Sequence, residues 1–496
     1  MSAPNHPIVY EINTRCWLRE LSDQHGHPIT LDTVPSDELD RFRDLGFSHL
    51  WLMGLWPTGP RCREHALASA TLRETLTGSL PDWQPDDIGG SPFAPADYRV
   101  PQAFGGDTAL RAFRQALHQR GLGLFLDFIP NHVGLDHPWL RQHPEYFVQS
   151  QHPVPGTFEA PTSEGPRWIA HGKDPNFPPW TDTAQLDYRR LETQRASADT
   201  LLHIARCCDG VRCDMAMLIL TEIFASHWHS FPCPSPAPGG EFWQNVIQQV
   251  RRRHPGFLFL AEAYWDLEAR LQHLGFNFTY DKRIYDHLIR HAPAESRRHV
   301  FSVGPDFLAA SAHFLENHDE PRIASLLQFP EHRAAALAIL GLPGLRLLHD
   351  GQLTGARTPV PVQLTRRPSQ PADPEIASFY QHLLRTLRTT SVGRGPGKLL
   401  SCRPAWPDNP SNQNFVLVQW QSAPPAFDLV VVNLARHRSQ CYVSLHIDGL
   451  ADRNWKLCDL LGSEVYSRYG DDLQNQGLYL DVPPHAAQLF HFEPQS

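Results

Sequence analysis

Three carboxylates stand at or just past the ends of short apolar runs, and they are the residues of this chain best placed to do chemistry. Asp214 closes Cys207-Cys208-Asp209-Gly210-Val211-Arg212-Cys213-Asp214, and Glu262 closes Phe257-Leu258-Phe259-Leu260-Ala261-Glu262. Asp319 follows Ala312-His313-Phe314-Leu315 within Glu316-Asn317-His318-Asp319-Glu320. Apolar runs of this length read as parallel strands buried on both faces. In an α/β barrel, a polar residue at the C-terminal end of a strand lies on the face where active sites are built. Three acids converging there repel one another, so stability alone does not account for them. The pattern points to catalysis.

The elements that must position these acids come from an alternation of strand-like runs and amphipathic helical stretches over about the first 390 residues, the pattern of βα units around a parallel sheet. Strands are expected at Ile8–Ile12, Ser48–Met53, Leu122–Asp127, the runs ending near Asp214 and Glu262, Phe276–Tyr280, Ala312–Leu315 and Gly344–Leu348. Helices are expected from Asp37 to Leu45 and from about Thr108 to Gln119. Eight such units predict an α/β fold, a closed (β/α)8 TIM barrel formed by residues 1–131 and 188–395. Residues 132–187, rich in Pro, Gly and aromatics and including Trp139, Trp168 and Trp180, predict an inserted domain after the third strand, over the active face. From residue 396 short strands follow with no helical period between them. They predict a C-terminal antiparallel β-sandwich over 396–496.

The whole chain narrows the function class. At 496 residues it is long enough for two or three domains, and a net charge of −9 without a Lys/Arg block argues against nucleic acid as a partner. No basic, apolar leader is seen at the start and no run reaches membrane-spanning length, so no membrane association is expected. Nine scattered cysteines without a Cys-x-x-Cys pair read as thiols of a cytoplasmic protein rather than a zinc site. The 28 histidines are dispersed. Oligomeric state is left open.

Four segments at successive strand ends carry a family resemblance: Asp127-Phe128-Ile129-Pro130-Asn131-His132, Gly210 to Asp214, Ala261-Glu262-Ala263-Tyr264-Trp265, and Glu316 to Asp319. In this order and spacing they resemble the four signature regions of the α-amylase family of glycoside hydrolases and transglycosidases. The resemblance implies Asp214 as nucleophile, Glu262 as general acid/base and Asp319 as the carboxylate that stabilises the distorted, oxocarbenium-like sugar. It further implies that His132 and His318 bond sugar hydroxyls and that Phe93 forms the aromatic platform beneath that sugar. Arg212, two positions before Asp214 and on the same strand face, would favour the ionised nucleophile. Burial among Ala261, Ala263, Tyr264 and Trp265, with like charge nearby, would raise Glu262.

Departures from the family pattern bear on substrate and metal. Met217 and Leu218 stand where many members carry Lys-His. Asn131 and Asp187 match possible calcium ligands, but two candidates do not make a site for an ion that takes 6–8 oxygens, and no cofactor is required by the expected chemistry. Asp136-His137-Pro138-Trp139-Leu140, His143-Pro144-Glu145-Tyr146-Phe147 and Gly90-Ser91-Pro92-Phe93 are similar to the branch that includes maltosyltransferases using maltose 1-phosphate.

The expectation is therefore a retaining α-glycosidase hydrolysing α-glucosidic bonds in short α-glucans or small α-glucosides. The alternatives are a transglycosidase passing glucosyl or maltosyl groups to a sugar or phosphate, and a non-catalytic carbohydrate- or partner-binding protein on the same fold. Taken singly, the same residues have plainer readings: Asp214 as ion-pair partner of Arg212, Asp319 as a helix N-cap, Asn131-His132 as a turn, Phe93 as packing.

Overall fold

Eight short apolar runs close into a parallel barrel, in a computed structural model that describes residues 6–162, 165–233 and 240–495. Residues 1–5, read above for a leader, lie outside the described residues. The barrel strands are β1 (Ile8–Asn13), β2 (His49–Met53), β3 (Gly123–Phe128), β4 (Gly210–Cys213), β5 (Leu258–Ala261), β6 (Phe278–Tyr280), β7 (Ser311–Phe314) and β8 (Leu345–His349). Neighbours in space are neighbours in sequence, and β8 returns to pair with β1. Nearly every strand residue is buried because helices cover the outside and side chains fill the inside, which is why these runs are apolar without alternation. Strand ends lie within one or two residues of the sequence expectation.

Register sets the height of the functional groups. Phe128 of β3 aligns with Cys213 of β4, and Cys213 with Ala261 of β5. Asp214 and Glu262, each the next residue, therefore leave the barrel side by side. Helix Gly106–His118 shows how the outer layer is held: Ala109, Leu110, Phe113 and Leu117 form its buried stripe. Asp319 is not a helix N-cap; the following helix, Ile323–Leu326, is entered through Arg322.

Between β3 and β4 the chain forms a two-stranded pairing of His132–Gly134 with Thr183–Gln185, and a three-stranded sheet built on the Thr157–Thr162 and Gly165–Ala170 hairpin. After the barrel, a six-stranded and a three-stranded antiparallel sheet face each other over a separate apolar core. Phe427, Leu429 and Val431 point into that core, while Val430 and Val432 pack toward the barrel. One strand thus buries both faces, which explains why Leu429 to Val432 is unbroken apolar sequence in an antiparallel sheet. No helix among the described residues is long and apolar enough to cross a membrane.

Candidate active site

The ends of β2 to β7 surround a cavity of about 790 Å³ lined in part by Asp214, Glu262 and Asp319. Its other walls include Phe93, His132, Trp180, Tyr264, Trp265, Lys282 and His318. The three acids predicted from sequence meet in one place.

Arg212 organises two of them. Its guanidinium is buried in the barrel, with Nη1 donating to Asp214 Oδ1 at 2.7 Å and Nη2 donating to Glu262 Oε2 at 2.6 Å. The backbone amide of Met215, a residue in the left-handed region at φ 42°, donates to the same Glu262 oxygen at 2.8 Å. The remaining oxygen, Oε1, accepts from the Tyr264 hydroxyl at 2.9 Å. Burial pushes Glu262 up to about 7; Arg212 opposes this, and the charges of Asp214 and Asp319 reinforce it. Burial also raises Asp214, although Arg212 pulls the other way. Arg212 favours the ionised Asp214 as expected from the sequence, but the cation is shared with Glu262 and burial outweighs its pull.

Asp319 is held differently. Its side chain is 47% exposed to the cavity, and His318 Nε2 lies 3.0 Å from Oδ2. The imidazolium overrides what burial would do and holds Asp319 at about 2. His318 remains charged because its Nδ1 meets Glu11 at 2.5 Å, a fully buried carboxylate of β1. Although burial works against that charge, Asp319 and Glu11 together push His318 well above the ordinary histidine value. The Phe93 ring lies flat against His318, with centroids 4.9 Å apart and planes 19° apart, and faces the Arg212 cation at 5.2 Å.

His132 lines the cavity but is already engaged. Nε2 donates to the Phe93 carbonyl at 2.9 Å and Nδ1 accepts from Asn131 Nδ2 at 3.3 Å, with the ring pushed down to about 4 by burial. A sugar hydroxyl would have to share one of these nitrogens. Met217 and Leu218 are buried in the turn after Asp214. Tyr98 is buried too, with its hydroxyl on the Ile129 carbonyl at 3.1 Å.

The candidate calcium ligands do not fit calcium. Asn131 Oδ1 accepts from Gln185 Nε2 at 3.0 Å, and its Nδ2 donates to Gln185 Oε1 at 3.2 Å. Both oxygens of Asp187 are taken by the Arg189 guanidinium at 2.8 Å, whose Nη1 also donates to the carbonyls of Trp228 and Phe231. A cation already sits where one would be needed. Among the described residues no cluster of three His, Cys, Asp or Glu is arranged to hold a metal ion.

Sequence reasoning missed Glu11 and the hydroxyl of Tyr264. A lone carboxylate inside Ile8-Val9-Tyr10-Glu11-Ile12 was the available signal for the first: a charge in a doubly buried strand needs a partner. Tyr264 was read only for its apolar body. It also missed Asp127, which accepts from Trp51 Nε1 and the Gly54 amide, both at 3.0 Å, and is raised to about 6 by burial.

Comparison with known proteins places the chain. Residues 84–370 match the family model described as alpha amylase, catalytic domain. An alpha-amylase, MalA, of Haloarcula japonica is 25% identical across 71% of this chain and 44% of its own length. An alpha-1,4-glucan:maltose-1-phosphate maltosyltransferase of Burkholderia pseudomallei is 25% identical across 94% of this chain and 38% of its own. The chain thus spans less than half the length of these curated relatives. Among solved structures, the maltogenic alpha-amylase AmyB of Thermotoga neapolitana has a TM-score of 0.68 at 17% identity, covering 99% of both chains. An alpha-amylase of Lactobacillus plantarum has the same TM-score at 20% identity and the same coverage.

Proposed function

The chain belongs to the α-amylase family, and from that premise we propose that it is a retaining α-glycosidase hydrolysing α-glucosidic bonds in short α-glucans or small α-glucosides. The observation that carries the reading is the single Arg212 guanidinium shared by Asp214 and Glu262 at the cavity. Two carboxyls bound by one cation stand side by side at adjacent strand ends, the close pairing that retention requires. Asp214, with its attacking oxygens directed by Arg212, forms the covalent glycosyl-enzyme. Glu262, with its proton held to about pH 7, protonates the leaving oxygen and then takes a proton from the incoming water. Asp319, ionised through His318, braces the positively charged sugar from the open side.

Transfer is the second reading, supported by the maltosyltransferase relative that spans most of this chain. In that case a sugar hydroxyl or phosphate replaces water at the glycosyl-enzyme. The neutralisation of Asp187 by Arg189 supports activity without calcium, and the buried thiols of Cys16, Cys208, Cys213 and Cys441 support a reducing, cytoplasmic setting.

Incubation with maltooligosaccharides, with and without phosphate, tests the proposal when products and anomers are followed by NMR. Release of α-anomeric sugars is expected, and phosphate-dependent sugar phosphate marks transfer. An initial β-anomer rejects retention and the role of Asp214.

A further inference from the structure

The two oxygens of Glu262 are held by different kinds of group. Oε2 accepts from two N–H donors, Nη2 of Arg212 at 2.6 Å and the Met215 amide at 2.8 Å. Neither donor can accept in return, so a proton on Oε2 would face two hydrogens head-on. Oε1 meets a hydroxyl, that of Tyr264 at 2.9 Å. A hydroxyl donates to a carboxylate or accepts from a carboxylic acid simply by turning its hydrogen. Tyr264 lines the cavity and is followed by two residues, Trp265 and Asp266, in the left-handed region at φ 63° and 62°. The backbone there is bent at a local cost, as it is where a loop is fixed for function. The charged and titratable groups facing the pair are Arg212, Asp214, Asp319 and Tyr280, with His132, Asp174, Asp182, Lys282 and His318 on the cavity wall.

We propose that Tyr264 is a positioning residue for Oε1 of Glu262, the oxygen to which Arg212 and the Met215 amide confine the catalytic proton, and that its hydroxyl supports that oxygen once the proton has left. The inference rests on the hydrolase reading above. In the first step Oε1–H passes its proton to the glycosidic oxygen, the C1–O bond breaks, and an Asp214 oxygen bonds C1. Glu262 is now a carboxylate, and Tyr264 turns to donate to Oε1. In the second step water gives a proton to Oε1, its oxygen bonds C1 and the Asp214–C1 bond breaks, which restores both groups. Without the hydroxyl the carboxylate is less stable, so Glu262 keeps its proton to higher pH and gives it up less readily. Burial among like charges already raises it against Arg212 and the Met215 amide, and the Tyr264 hydroxyl is a further donor to the charged form at Oε1.

Tyr264→Phe keeps the ring and removes the donor, and circular dichroism verifies its fold. For maltotriose, kcat/KM is expected to fall about ten-fold, the worth of one hydrogen bond to a charged group. The alkaline limb of its pH profile should move up by about one pH unit. For α-glucosyl fluoride, whose leaving group needs little protonation, kcat/KM should hardly change. A limb that stays in place while both substrates lose rate equally overturns the proposal and leaves Tyr264 a packing residue. A wild-type protein that cleaves neither substrate overturns the parent reading and this one with it. A normal wild type beside an unshifted Tyr264→Phe overturns this inference alone.

Discussion

Two arginines on the same face of the barrel meet carboxylates, and they do opposite things. Arg189 gives Nε and Nη2 to the two oxygens of Asp187 and Nη1 to two carbonyls, and Arg190 Nε lies 3.9 Å from Oδ2, so the carboxylate is fully matched by cations and the Arg189 donors are spent. Arg212 serves two carboxyls, Asp214 and Glu262, with a third, Asp319, close enough to raise both. The first cluster is balanced and closed. The second is short of positive charge and open to a cavity. Buried charge is therefore not by itself the mark of function; an excess of carboxyls over cations at a cavity is. Such a cluster resists full ionisation at neutral pH, the condition that the proposed pairing of a protonated acid with an ionised nucleophile requires.

The largest effect should come from the open cluster. Asp214→Asn is expected to lower kcat on maltooligosaccharides by a factor of about 10⁴ or more with the fold intact, measured by product release and circular dichroism. Full activity in that variant would remove the chemical distinction between the two arginine sites. The closed cluster should respond in stability instead. Arg189→Ala leaves Asp187, 1% exposed, with only the more distant Arg190 at 3.9 Å and should cost about 3 kcal/mol in urea unfolding. Calcium or a chelator should leave the wild-type unfolding midpoint unchanged, because the Asp187 oxygens are already taken. A midpoint that falls on chelation would show that the guanidinium does not replace a metal.

The same contrast explains what the sequence made legible. The barrel could be read because its doubly buried strands are apolar runs ended by single acids, and Asp214, Glu262 and Asp319 stood out against them. Arg212 was legible as a partner of Asp214 through strand periodicity, but its second bond, to Glu262 50 residues away, depends on the β4–β5 register. Asp187 was legible as an acid near the insert and was matched to calcium. Its capture by Arg189, only two residues along, was hidden because adjacent-residue spacing does not fix which way a long side chain turns. Glu11 contacts His318 across 307 positions, a pairing created only when β1 and β7 enter one barrel.

Glu11 gives an intermediate effect. It holds His318 in the charged form, so the proton is bound more tightly folded than unfolded. That stabilisation is complete below about pH 6.5 and fades as pH rises through the raised folded value. Glu11→Gln should lower the upper end of this window. Urea unfolding of variant and wild type should therefore diverge more at pH 5 than at pH 8. KM for maltotriose should rise by about ten-fold as His318 loses its orientation against Phe93. Equal stability differences at both pH values would show that Glu11 acts through packing alone.

The smallest expected effect is the sharpest test of the charge argument, because its sign is opposite to that of Arg189→Ala. Glu262 is raised from 4.5 to about 7, so the folded protein binds more protons than the unfolded chain between those values. Stability therefore falls as pH rises from about 4.5 to about 7, and the penalty is constant above that. Glu262→Gln removes the charge and keeps the shape. Its amide oxygen can accept from Arg212 and Met215 as Oε2 does, and its amide nitrogen can donate to the Tyr264 hydroxyl. The variant should be inactive on unactivated glucosides yet more stable than the wild type by about 1 kcal/mol above pH 7, with no gain below pH 4.5. A gain independent of pH would assign the effect to packing. A loss would mean that Arg212 needs both carboxylates, and that the open cluster is as balanced as the closed one.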